Sequence, residues 1–85
     1  MDSYNLRIKK SAEKELRSIP KPDLIRVTHK IQALAKNPRP LGCQKLSTEE
    51  KYRIRQGDWR VVYLINDQEK LIEIFKISHR REIYR

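Results

Sequence analysis

Apolar and polar residues alternate at the start of the chain, with Tyr4, Leu6 and Ile8 set against Asn5, Arg7 and Lys9. A period of two predicts a strand with one buried face. Ser11 follows as a candidate N-cap, with Lys14 where a capping box would need an acid. Ala12, Leu16 and Ile19 then recur at helical spacing. Pro20 and Pro22 end that helix and open the next, where proline is tolerated in the first turn. Asp23 suits the positive N-terminus of this second helix. Leu24, Val27, Thr28, Ile31, Leu34 and Ala35 form one stripe that stops at Asn37-Pro38. The pattern predicts two amphipathic helices joined by a tight turn.

Residues 38–46 are rich in Pro and Gly and read as a loop without regular structure. From Lys51 the period returns to two. Lys51–Arg55 and Trp59–Ile65 read as strands joined at Gly57-Asp58, a two-residue hairpin turn. Asn66–Lys70 is a polar turn, and Leu71–Ile77 is a third strand, apolar enough to be central or covered on both faces. The expected fold is α+β: a four-stranded, antiparallel-rich sheet with the N-terminal helical hairpin on one face, in one domain over residues 1–85.

The turn fixes a register. If Gln56 pairs with Trp59, then Arg55 faces Arg60, Ile54 faces Val61, Arg53 faces Val62 and Tyr52 faces Tyr63. One side then carries Tyr52, Ile54, Val61, Tyr63 and Ile65 as core. The other gathers Arg53, Arg55 and Arg60. Like charges placed directly opposite are unfavourable, and a bound phosphate offsets that cost.

Charge points the same way. Twenty Lys and Arg against 11 Asp and Glu give +9, which implies a polyanionic partner, an acidic protein, or both. Cys43 stands alone, so no intrachain disulfide forms. Cys43, His29 and His79 lack metal-ligand spacing, and no metal or cofactor is expected. The first residues show no apolar signal core and no run approaches the ~18 apolar residues of a membrane span, so the cytoplasm is the expected compartment.

The last stretch, Ile77-Ser-His-Arg-Arg-Glu-Ile-Tyr-Arg85, is the densest in candidate chemistry. His79 offers an imidazole, Arg80 and Arg81 permanent cations, and Tyr84 a ring and a hydroxyl. These are the parts of RNA transesterification. A base takes the ribose 2′-OH proton, cations stabilise the phosphorane, an acid protonates the leaving oxygen, and an aromatic ring stacks a splayed base. Tyr84 serves equally well as a lid over the sheet. Trp59 either stacks RNA or covers the hairpin end.

Over essentially its whole length the chain resembles the RelE/ParE toxin superfamily, its RelE-type branch in particular. The likeness rests on Ala12-Glu-Lys-Glu-Leu16, Pro38-Arg-Pro-Leu-Gly42, Lys45-Leu46, Tyr52-Arg-Ile-Arg55, Gly57-Asp-Trp-Arg-Val-Val-Tyr63 and His79-Arg-Arg-Glu-Ile-Tyr-Arg85. The resemblance implies a toxin that enters the ribosomal A site and cleaves mRNA. It also implies a cognate antitoxin, and operator DNA reached only through the toxin–antitoxin complex. Arg53 and Arg55 stand where RelE-type enzymes often have lysines, Arg60 at the phosphate-contacting arginine, Arg80 at the C-terminal catalytic arginine and Tyr84 at the C-terminal tyrosine. Arginine is a poor general base, so a base role does not transfer to Arg53 or Arg55, and His79 is the substitute. The expected catalytic set is Arg53, Arg55, Arg60, His79, Arg80 and Tyr84, with Arg53, Arg55, Arg60 and Arg81 binding RNA. The alternative is the ParE-type activity, inhibition of DNA gyrase by binding, without RNA chemistry.

Overall fold

The computed structural model describes residues 3–46 and 50–80. Within them the chain runs β1 (Asn5–Ile8), α1 (Lys10–Arg17), α2 (Asp23–Ala33), β2 (Gln44–Lys45), β3 (Lys51–Gln56), β4 (Trp59–Asn66) and β5 (Leu71–His79). The strands form one sheet in the order β1-β5-β4-β3-β2. β1 lies parallel to β5, and every other pairing is antiparallel. The fold is α+β as the pattern predicts, with five strands among these residues rather than four. The additional strand is β2, which pairs Gln44 with Arg53 and Lys45 with Tyr52 inside the stretch expected to be a loop. Two residues are too few to display a period.

Ser11 is not the N-cap. Lys9 holds that position in extended conformation, with no side-chain cap, and α1 begins at Lys10. The Lys9 N–H is bonded to the Ile74 carbonyl at 3.0 Å, and its own carbonyl accepts from Glu13 N–H at 2.8 Å. β1 therefore turns into helix one residue early, and Ser11 falls inside the first turn. Pro22 is the cap residue of α2 rather than a member of its first turn.

The helices cover one face of the sheet. Ala12, Ile19, Val27, Ile31 and Leu34 meet Tyr52, Ile54, Val61, Tyr63, Ile65, Ile72, Ile74 and Ile77, all buried. Each Val, Leu or Ile among them contributes about 1.5–3 kcal/mol relative to exposure. On the edge strand the burial is shallower: Tyr4 and Leu6 are half-buried and Ile8 is exposed. Tyr52 and Tyr63 stack with centroids 5.9 Å apart, and the buried Tyr63 hydroxyl donates to the Pro38 carbonyl at 2.7 Å.

The β3–β4 register is the predicted one, with Gln56 opposite Trp59, Arg55 opposite Arg60 and Tyr52 opposite Tyr63. Gly57 takes φ +62°, the left-handed conformation a two-residue turn requires. Between β4 and β5 the ladder is interrupted: Val62 pairs with Lys76 but Tyr63 pairs with Ile74, leaving Phe75 as an extra residue. This bulge shifts the alternation of everything after it by one position. Ile77 returns to the core, where strict alternation from Ile72 and Ile74 would have put Lys76. Past the end of β1, the Ile77 N–H finds its acceptor in Glu15 of α1, at 2.8 Å.

Candidate nucleic-acid interface

On the helix-free face, β3 presents Lys51, Arg53 and Arg55, and β4 presents Arg60. Arg53 donates to Gln44 on β2. Its guanidinium is pushed below the usual arginine range, first by burial and then by Arg55 and Arg60 nearby. That is the like-charge crowding the register implies.

At the hairpin end, Arg55, Gly57, Asp58, Arg60 and Arg80 line a recess of about 240 Å³. Arg80 is held there twice. Its backbone N–H donates to the Asp58 carbonyl at 2.8 Å, and its Nη1 lies 3.4 Å from Asp58 Oδ1. Arg60 Nε is buried and has no hydrogen-bond partner among the described residues. A buried donor left unpaired costs about 1–3 kcal/mol, so the position favours an acceptor. A phosphate oxygen is one that also answers the three surrounding cations.

The structure brings Arg55, Arg60 and Arg80 together and sets Arg53 beside them on the same face. It does not bring His79 to them. His79 pairs with Trp59 on the neighbouring strand, and their rings meet edge to face at 4.9 Å. The Trp59 indole N–H points to Asp23 Oδ2 at the start of α2, at 3.3 Å, which places this pair on the helix side. The cause is the bulge, which sends His79 toward the helices and Arg80 toward the arginines. Trp59 thus covers the hairpin end. Arg81 and Tyr84 lie outside the described residues.

Sequence reasoning took Asp58 only as a turn residue, and nothing in its local pattern marks it as the partner of Arg80. A second polar cluster also escaped notice. Arg39 Nη2 lies 2.7 Å from Glu50 and 2.9 Å from Asp67, while its Nε donates to Tyr52 Oη at 3.1 Å. Tyr4 Oη donates to Asp67 at 2.6 Å. Arg39 holds the Glu50 and Asp67 carboxyls below their usual range, and the two acids hold Arg39 above its own. This cluster ties the loop after α2 to β3 and to the β4–β5 turn. Among the described residues, no three of His, Cys, Asp and Glu gather as a metal-binding group. Among the same residues, no helix is long and apolar enough to cross a membrane.

Comparison with known proteins agrees with this geometry. Residues 6–84 match the family model described as the ParE toxin of type II toxin–antitoxin systems. A Methanocaldococcus jannaschii protein designated toxin RelE1 is 33% identical over 96% of both chains. The toxin fold recurs in the archaeal RelE–RelB complex of Pyrococcus horikoshii, with TM-score 0.80, 31% identity, and 92% of this chain and 96% of that one covered. It recurs also in the RelBE2 toxin–antitoxin complex of Mycobacterium tuberculosis, with TM-score 0.81, 25% identity and 94% of each chain covered. A match that spans nearly every element, from β1 through the arginine-lined recess, means that the chain belongs to the RelE/ParE superfamily of type II toxin–antitoxin toxins.

Proposed function

We propose that this chain is the toxin of a RelBE-type pair and an endoribonuclease that cuts mRNA in the ribosomal A site by metal-independent 2′-OH transesterification. The observation that carries the reading is the recess of Arg55, Arg60 and Arg80, with a buried Arg60 N–H lacking an acceptor among the described residues. Three fixed cations around a phosphate stabilise the charge that builds on a phosphorane, and preorganised charge of this kind is usually the largest catalytic contribution. Asp58 is the positioning residue for Arg80. Arg53 extends the cationic surface along β3. Arg81 and Tyr84 enter by their place in the sequence motif, Tyr84 as stacking or acid group. The 2′-OH proton passes to solvent water or to His79, which packs against Trp59, and Tyr84 returns a proton to the leaving 5′-oxygen, so electrostatics carries most of the rate.

A cognate antitoxin restrains the activity. What supports this is the +9 charge, which suits an acidic partner, and the antitoxin chains present in the solved complexes of the relatives. Operator DNA is reached through that complex.

The test is to add the purified protein to programmed ribosomes carrying a defined mRNA and to map new 5′ ends. The expected products end in a 2′,3′-cyclic phosphate or a 3′-phosphate, and they form equally in EDTA on a preassembled, cross-linked complex. Gyrase inhibition is the second reading, because the matching family model is described as ParE. A supercoiling assay run in parallel decides between the two: inhibition of gyrase with intact mRNA selects the binder.

A further inference from the structure

The helix-free face continues past the arginine recess to a second feature that the reaction does not use. Phe75, the extra residue of the bulge, is half-buried there. Lys9 Nζ lies 4.3 Å from the centre of its ring and Lys51 Nζ lies 5.0 Å from it. A recess of about 220 Å³ opens beside the ring, lined by Lys9, Ser11, Glu15, Phe75 and Lys76. Lys51 is four residues from Arg55 on β3, a span of about 13 Å at the usual strand rise. Between them stands Arg53. The register puts Arg7, Lys51, Arg53, Arg55 and Arg60 on this face against one strand carboxylate, Glu73, which is itself in register with Arg7.

We infer that Phe75, with Lys9 and Lys51, is a stacking subsite for an unpaired RNA base flanking the cleaved phosphate. The inference rests on the reading of the chain as an RNA-cutting toxin. A half-buried ring with an open side beside a cationic track is the arrangement by which single strands are held without sequence preference: bases stack and cations follow the backbone. A base over Phe75 replaces an ammonium on the ring and frees that ammonium for the adjacent phosphate. Alternation from Ile72 and Ile74 puts Phe75 on the open face, and the bulge lets Ile77 return to the core two residues later. Strands that carry five cations against one carboxylate on this face suit a polyanion rather than an apolar peptide.

The experiment measures binding of uncleavable 2′-O-methyl RNA of three and of eight nucleotides, by anisotropy, to wild type, Phe75→Leu and the double variant Lys9→Gln/Lys51→Gln. Thermal unfolding is recorded for each, and mRNA cleavage on programmed ribosomes is measured beside it. The octamer should bind wild type more tightly than the trimer. Phe75→Leu should weaken the octamer by about 5- to 150-fold and leave the trimer unchanged, the range for loss of one base stack. The double variant, which does not touch the core, should lower the slope of log K against log salt by about 1.4, since each phosphate contact on a single strand contributes about 0.7. Equal octamer affinity in wild type and both variants overturns the subsite, and if cleavage persists the nuclease reading stands without it. Phe75-dependent binding of polyglutamate, with no effect on RNA, overturns it in favour of an acidic protein segment. Absence of both RNA binding and cleavage removes the nuclease reading and the subsite together.

Discussion

Replacing Arg60 by methionine should make this protein more stable and nearly inactive. Arg60 stands directly opposite Arg55, and its buried Nε has no partner among the described residues. A cross-strand pair of like charges is unfavourable by roughly 0.2–1 kcal/mol. An unsatisfied buried donor adds about 1–3 kcal/mol, at the low end here because the rest of the guanidinium reaches the recess. Methionine keeps the unbranched stem that packs on β4 and removes both costs. The expected gain is about 1 kcal/mol, or a rise in Tm of about 4–8 °C for a domain of this size. Deleting one preorganised group facing developing charge costs about 10²–10³ in kcat. Circular-dichroism melts and urea titrations give the first quantity, and single-turnover mRNA cleavage on programmed ribosomes gives the second. Arg60→Lys should recover little activity, because an ammonium lacks the fork that reaches two phosphate oxygens. An Arg60→Met protein that melts below wild type, or that cuts at the wild-type rate, would falsify the assignment of Arg60 as a strained phosphate ligand.

Other outcomes follow from the same geometry. His79→Ala should slow cleavage less than about tenfold, short of the 10²–10⁴ typical of a lost general base, and a larger loss in the same single-turnover assay restores histidine to the proton transfer. Asp58→Asn should loosen Arg80 and lower kcat while leaving the octamer affinity within a few-fold, which stopped-flow cleavage and anisotropy check together. Tyr63→Phe removes the bond to the Pro38 carbonyl and should cost about 1 ± 0.5 kcal/mol in urea unfolding; a change below 0.3 kcal/mol, by ~threefold less than that figure, counts against the bond. Glu50 and Asp67 have folded pKa values held below their unfolded ones, so their contribution is present above about pH 5 and is lost as pH falls below about 4. Stability measured from pH 7 to 3 should decline at the acid end, and Arg39→Gln should flatten that decline.

The hairpin was readable in advance because Gly57-Asp58 leaves one plausible turn and the alternation on either side agrees with it. From that register came the core face and the crowding of Arg53, Arg55 and Arg60. The helical stripes were readable because Val27, Ile31 and Leu34 recur at helical spacing over several turns. Three things were not. β2 is two residues long and is held by Arg53 and Tyr52, not by its own composition. The Arg39 cluster joins residues scattered from Tyr4 to Asp67, and no local pattern connects them. The bulge at Phe75 has no glycine or proline to announce it. It is fixed by tertiary packing, since both Ile74 and Ile77 fill the core and Glu15 accepts the Ile77 N–H. Strict alternation from Ile74 puts residue 79 on the open face, and the one extra residue puts His79 on the helix side instead.

The pairing of β1 with β5 has a consequence for the order of events during synthesis. Asn5–Ile8 finds its neighbour only in residues 71–74, and Arg80 completes the recess later still. A nascent chain emerges N-terminal end first, so β1 waits, unpaired, until residues 71–74 have left the ribosome. Until then the arginines of the β3–β4 hairpin have neither the β5 support beneath them nor Arg80 beside them. The arginine recess therefore closes only once β5 has joined the sheet, well after the β3–β4 hairpin that supplies most of its lining.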